Sequence, residues 1–245
     1  MLFRSVVSVM SELYMIRHGQ ASFGEQNYDR LSSTGVDQAE IVARHWLAIG
    51  RKIDAIYVGG MKRQIDTAGA LISAYKDKRI PVPQVITDES FAEYDSASVF
   101  EAQLPAMIAK NPSISDKLAD IYTDKRTFQL LFEEAMNRWV SGACDNPGTV
   151  TWHGFNERVV KGARQIMKTQ GAGKSLAVFT SGGPISVMVQ EALGLTGNMA
   201  MALSWQIMNA SITRFKYNAK GFALAGFNDI THLELENDGR LLTYR

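Results

Sequence analysis

Arg17, His18 and Gly19 stand together at the end of a short apolar run, residues 13–16. A buried strand ending this way would deliver an imidazole and a guanidinium side by side to the rim of a sheet. Neutral imidazole is a good nucleophile near pH 7. The planar fork of an arginine matches the oxygens of a phosphate. Three other stretches carry compatible chemistry. "VGGMKRQIDTA" (58–68) places Arg63 in the first turns of a helix. "DESFAEYD" (88–95) is rich in carboxylates, with Glu89, Glu93 and Asp95 as candidates for a proton donor. "TSGGPIS" (180–186) is a glycine-rich strand-to-helix turn, where Ser181, Gly182 and backbone N–H groups could approach an anion. Two arginines, one imidazole and a glycine turn suit a phosphoryl group. On the triplet alone, the competing reading is a solvated strand end.

These residues need elements that bring them together. Short apolar, β-branched or aromatic runs lie at 13–16, 53–58, 85–87 and 176–180, with two more at 211–217 and 221–227. Helical periodicity lies between them, at 34–50, 59–75, 155–171 and 183–194. In the first of these, Val36, Ala39, Val42, Ala43, Trp46 and Leu47 share one face, Thr34 can cap the start, and Gly50 the end. Strands alternating with helices predict an α/β fold, a three-layer α/β/α sandwich around a mainly parallel sheet. In such sheets, binding groups gather at the carboxyl ends of strands. Residues 96–150 interrupt the rhythm with two or three helices. They read as a helical insertion over one edge of the sheet, within one domain spanning 1–245. Its aromatics Phe100, Tyr122, Phe128, Phe132 and Trp139 read as core packing rather than a substrate cage.

The segment "RHGQASFGEQNYDRLSSTG" (17–35) resembles the signature of the histidine phosphatase superfamily, the phosphoglycerate mutase-like fold. "MKRQIDTA" (61–68), "NASITRF" (209–215) and "FNDITHL" (227–233) are similar to later segments of that family. The resemblance implies that His18 attacks phosphorus and is transiently phosphorylated. Arg17 and Arg63 would hold the phosphoryl oxygens, and Glu93 would protonate the leaving alcohol. It implies no metal and no cofactor. It implies phosphomonoester hydrolysis, on a small molecule or a phosphoprotein. A mutase-like phosphotransferase is the less favoured alternative, because the longer substrate-binding pattern expected after the triplet is missing from "QASFGEQNYDRLS".

One departure stands out. Ser181 occupies the position where the resemblance implies a second histidine. A hydroxyl can still donate to phosphate, but losing one such donor typically costs about 10²–10³ in rate. A catalytically weakened phosphate-binding protein is therefore the rival reading, and Ser181→His would discriminate between them. The remaining histidines are His45, His153 and His232. Among them, His232 and then His153 are weighed as site residues, while His45 reads as structural or surface. Gln20 and Ser22 could line the entrance, and Asn27 and Tyr28 read as loop residues.

Composition narrows the classes further. A formal net charge of +1 over 245 residues gives no sign of a nucleic-acid partner. The single cysteine, Cys144, excludes a disulfide framework within the chain and reads as inert. A reducing cytoplasm fits that usage. No apolar run reaches about 18 residues, so no membrane span is expected. Residues 1–9 read as a flexible extension, with Met10 an alternative start. An exposed sheet edge would support a homodimer.

Overall fold

The computed structural model describes residues 10–22, 29–118, 124–142 and 148–244. Among them, six strands form one sheet: β1 (Ser11–Arg17), β2 (Ala55–Val58), β3 (Gln84–Thr87), β4 (Ser175–Thr180), β5 (Ile212–Asn218) and β6 (Gly221–Asp229). Their order is β3-β2-β4-β1-β5-β6. The first four strands in that order are mutually parallel, β5 runs antiparallel to β1, and β6 runs antiparallel to β5. The fold is thus α/β with a mixed, mostly parallel sheet, as its strand–helix alternation predicts.

The central strands are apolar on both faces because both faces are covered. Leu13, Met15, Leu176 and Val178 point into one core, while Tyr14, Ile16, Ala177 and Phe179 point into the other. This alternation is the two-residue period of a strand read across two hydrophobic layers. Full burial of the Leu, Ile, Val, Met and Phe side chains among them contributes about 1.5–3 kcal/mol each. Helices α1 (Ser33–Ala48), α2 (Lys62–Asp77) and α9 (Thr231–Glu234) cover one face. The other carries α3 (Ser96–Lys110), α4 (Ser113–Leu118), α5 (Lys125–Ser141), α6 (Trp152–Gln170), α7 (Gly182–Leu193) and α8 (Gly197–Ser204).

Several local expectations change. The cap of α1 is Ser32, whose Oγ accepts from the Gly35 N–H at 3.1 Å, while Thr34 already lies inside the helix. Val36 is 45% exposed, so it lies off the buried face assigned to it. The helix expected from residue 59 begins at Lys62, because Gly59 and Gly60 form the turn that precedes it. Where two or three helices were expected after residue 96, the described residues form α3, α4 and α5, and helices α8 and α9 are additional to those expected. Phe100, Phe128 and Phe132 pack on one another with ring centroids 5.5–5.9 Å apart. Trp139 sits 5.2 Å from Trp152 and 4.5 Å from Tyr94. These rings are core packing, as read from the sequence; Tyr122 lies outside the described residues, as do Asn27, Tyr28, Cys144 and residues 1–9. Among the described residues, no helix is long and apolar enough to cross a membrane.

Candidate active site

The parallel strands end at one rim, and His18 is the first residue beyond β1. Its backbone is held on both sides. The His18 N–H donates to the Thr180 carbonyl at 2.9 Å. The His18 carbonyl accepts from the Ala210 N–H and from Asn209 Nδ2, both at 3.2 Å. The ring is equally constrained. Nδ1 lies 2.7 Å from the Gly19 carbonyl, which can only accept, so Nδ1 carries the proton. Nε2 therefore presents its lone pair, and Arg63 Nε donates to it at 3.1 Å. Burial, then the charges of Arg17 and Arg63, hold the imidazole well below its usual range. His18 is a neutral imidazole at neutral pH whose Nε2 lone pair accepts from Arg63.

Arg63 lies in the first turn of α2, with Nη1 2.6 Å from Asp29 Oδ1. The other Asp29 oxygen accepts from the Lys62 N–H at 2.8 Å. Thr67, one turn further on, fastens α2 to the turn after β1: its Oγ1 accepts from the Gly19 N–H at 3.0 Å and donates to the Arg63 carbonyl at 2.7 Å. Arg17 closes β1, and its guanidinium donates to the Ile207 carbonyl.

The three carboxylate candidates separate clearly. Asp95 is exposed and caps α3, accepting from Ala97 and Ser98; the Ser98 hydroxyl holds it below the usual range. Glu89 is exposed and lies across Gly60, where a Cβ would fall 1.8 Å from its carboxylate. Glu93 accepts from the Gly183 N–H at 3.0 Å and from the Tyr94 N–H at 3.2 Å. Burial pushes its carboxyl up, against the opposing pull of those N–H groups and of Arg63 and Arg17. The same two arginines thus act on both Glu93 and His18.

Ser181 is 1% exposed and Gly182 opens α7. Ser181 Oγ accepts from Gln64 Nε2 at 2.8 Å. Gln64 is fully buried on the stripe of α2 that also carries Ala68, Leu71 and Tyr75. That polar residue on an apolar stripe is the signal that sequence reading passed over. Asn209, Thr67 and Asp29 are likewise neighbours of the site; each lies within a segment quoted for the resemblance, but none was singled out there.

The other sequence candidates lie elsewhere. Gln20 turns toward the start of α1, its Oε1 accepting from Ser32 Oγ at 2.8 Å. Ser22 is buried and its N–H bonds the Arg30 carbonyl. His153 points to solvent on α6, 3.3 Å from Glu157. His232 is buried behind the rim, with Nε2 3.0 Å from the Ala210 carbonyl and its ring 5.5 Å from that of His45.

Comparison with known proteins bears on this arrangement. No curated protein matches the sequence. Solved structures do. A phosphoserine phosphatase from Entamoeba histolytica matches with a TM-score of 0.63 at 19% identity, covering 91% of this chain and 100% of that one. A phosphoglycerate mutase from Bacillus anthracis matches with 0.62 at 16%, covering 94% and 98%. A mycobacterial glucosyl-3-phosphoglycerate phosphatase matches with 0.57 at 20%, covering 90% and 98%. At these identities the likeness is one of fold. A sequence model of the histidine phosphatase superfamily (branch 1) matches residues 13–118 and 97–230, most of the chain. With Arg-His-Gly at the end of its first strand, the chain belongs to the histidine phosphatase superfamily.

Proposed function

We propose that the protein is a phosphatase that hydrolyses a phosphomonoester through a phosphohistidine at His18. The observation that carries this reading is the neutral His18 ring, its Nε2 lone pair directed at Arg63. The fold shared with a phosphoserine phosphatase and a glucosyl-3-phosphoglycerate phosphatase is consistent with it.

The steps follow from the groups at the rim. Arg17 and Arg63 neutralise the phosphoryl oxygens, and Ser181 and the start of α7 add donors. As Arg63 turns its donors to the phosphate, its Nε–H leaves Nε2, and the freed Nε2 lone pair attacks phosphorus, forming an N–P bond as the P–O bond to the leaving group breaks. Glu93, with its carboxyl pushed up by burial, passes its proton to the leaving oxygen and becomes a carboxylate. Water then attacks phosphorus. Glu93 takes the proton back, the N–P bond breaks, and inorganic phosphate leaves. Every proton is accounted for between Glu93 and water.

The test is hydrolysis of an aryl phosphate without added metal, comparing the native protein with His18→Ala. The expected result is turnover that falls by about 10³-fold or more in the variant, with an acid-labile phosphoryl group trapped on the native protein alone. Equal rates from the two proteins would end the proposal.

A further inference from the structure

We infer that Gln64 is a positioning residue that turns the Ser181 hydroxyl proton toward a phosphoryl oxygen of the substrate. This rests on the phosphatase reading above but concerns a residue outside it. The argument begins with the polarity of the amide. Gln64 Oε1 accepts from the Met61 N–H at 3.3 Å, while Nε2 faces the Phe91 carbonyl at 3.3 Å. A donor stands at one end and an acceptor at the other, so the amide cannot be reversed without losing both bonds. The NH₂ end is therefore the one that meets Ser181 Oγ at 2.8 Å.

A hydroxyl has one proton and two lone pairs. One lone pair of Ser181 is taken by Gln64, and an amide NH₂ cannot accept the Ser181 proton. Among the described residues, no other group accepts it either. The proton must point elsewhere, and the strand register says what lies nearby. Arg17 pairs with Thr180 across β1 and β4, so the next residues, His18 and Ser181, stand side by side at the rim.

The amide is also built in tightly. Its contacts come from three strand-to-helix junctions: Met61 after β2, Phe91 after β3 and Ser181 after β4. A Cβ at Gly59 would lie 2.2 Å from Gln64 Oε1, so the glycine makes room for the amide. Thr180 Oγ1 donates to the same Phe91 carbonyl at 2.6 Å, which fixes the acceptor that sets the amide's orientation.

A double-mutant cycle tests this, using Gln64→Leu, Ser181→Ala and the double variant. Two readouts are taken on each: kcat/KM for an aryl phosphate, and affinity for inorganic phosphate by calorimetry. Each single change should cost about tenfold in both readouts. The double variant should be no worse than Ser181→Ala alone. Losses that multiply, or a Gln64→Leu protein with native values, would overturn the inference. Gln64→Glu is the second variant, in case the leucine protein does not fold. Its carboxylate would accept the Ser181 proton, so a loss that vanishes in the Ser181→Ala background is again expected. An equal loss in both backgrounds would count against the idea. Phosphate binding that follows the cycle without turnover would remove the phosphatase reading and keep the inference. Turnover abolished by His18→Ala but indifferent to the cycle would do the reverse. A native protein that neither binds phosphate nor hydrolyses would remove both.

Discussion

At the scale of single residues, charge and burial set separate tasks for His18, Glu93 and Asp29. Burial and two arginines depress His18, so the acid limb of kcat/KM should lie below the usual histidine range. Burial raises Glu93, so its carboxyl stays protonated to higher pH, and its deprotonation should set the alkaline limb. Glu93→Gln should cost about 10²–10³ in kcat for an alkyl phosphate, whose leaving group needs a proton. It should cost much less for p-nitrophenyl phosphate, whose leaving group does not. Equal losses on the two substrates would exclude Glu93 as the acid. Asp29 plays the opposite part. Its carboxylate already occupies Nη1 of Arg63, a donor that a phosphate would use. Asp29→Asn should therefore lower the KM for an aryl phosphate about threefold; an unchanged or higher KM in steady-state assays would contradict that competition. His18, Arg17 and Arg63 were legible because their types and order form a local motif. Asp29 and Gln64 were not, because their importance comes from partners. Gln64 and Ser181 are 117 positions apart, and no periodicity reports such a pair.

At the scale of elements, the site depends on how closely α1 approaches the turn after β1. A Cβ on Gly35 would sit 2.1 Å from the Gln20 carbonyl, and one on Gly19 would sit 2.3 Å from the Gly35 carbonyl. Here glycine is required by space between two backbones. Gly35→Ala should push the first turn of α1 away from Gly19, which also donates to Thr67 on α2. The expected cost is about 1–3 kcal/mol in unfolding free energy, with a fall in kcat larger than any change in KM. Urea unfolding and steady-state assays on one preparation would check it; native stability and kcat would show that the contact is soft. Strands β1, β2 and β4 were legible because buried parallel strands must be apolar throughout. The boundaries were less so. "LSSTG" offers Ser32, Ser33 and Thr34 as caps, and only the Ser32–Gly35 hydrogen bond chooses between them. Val36 falls at the margin of the apolar stripe, and the packing of α1 on the sheet leaves it outside. Helices α8 and α9 have eight and four residues, too short for periodicity to mark.

At the scale of the whole molecule, the far end of the chain braces the site from behind. His232, on α9, bonds the Ala210 carbonyl, and the Ala210 N–H bonds the His18 carbonyl. Ala210 is held at φ +57°, a conformation rare for a residue with a side chain, so this short segment depends on its bonds. His232 is lowered from 6.5 to about 4, by burial first and by the neighbouring His45, while the Ala210 carbonyl and Asp229 act in the opposite sense. The folded state thus keeps His232 neutral at pH values where the unfolded chain would protonate it. Its contribution is complete above about pH 6.5 and is lost as pH falls toward 4. Two to three units correspond to on the order of 3 kcal/mol. His18, depressed in the same direction, adds to the loss. His232→Gln retains an amide that can reach the Ala210 carbonyl and removes the titration. Urea midpoints at pH 7, 6, 5 and 4 should fall steeply for the native protein and more gently for the variant. Kcat should follow the same difference, because the segment that loosens is the one holding the His18 carbonyl. Parallel curves for the two proteins would mean that His232 titrates alike in the folded and unfolded chains. The tie between the end of the chain and its first strand would then be steric rather than electrostatic.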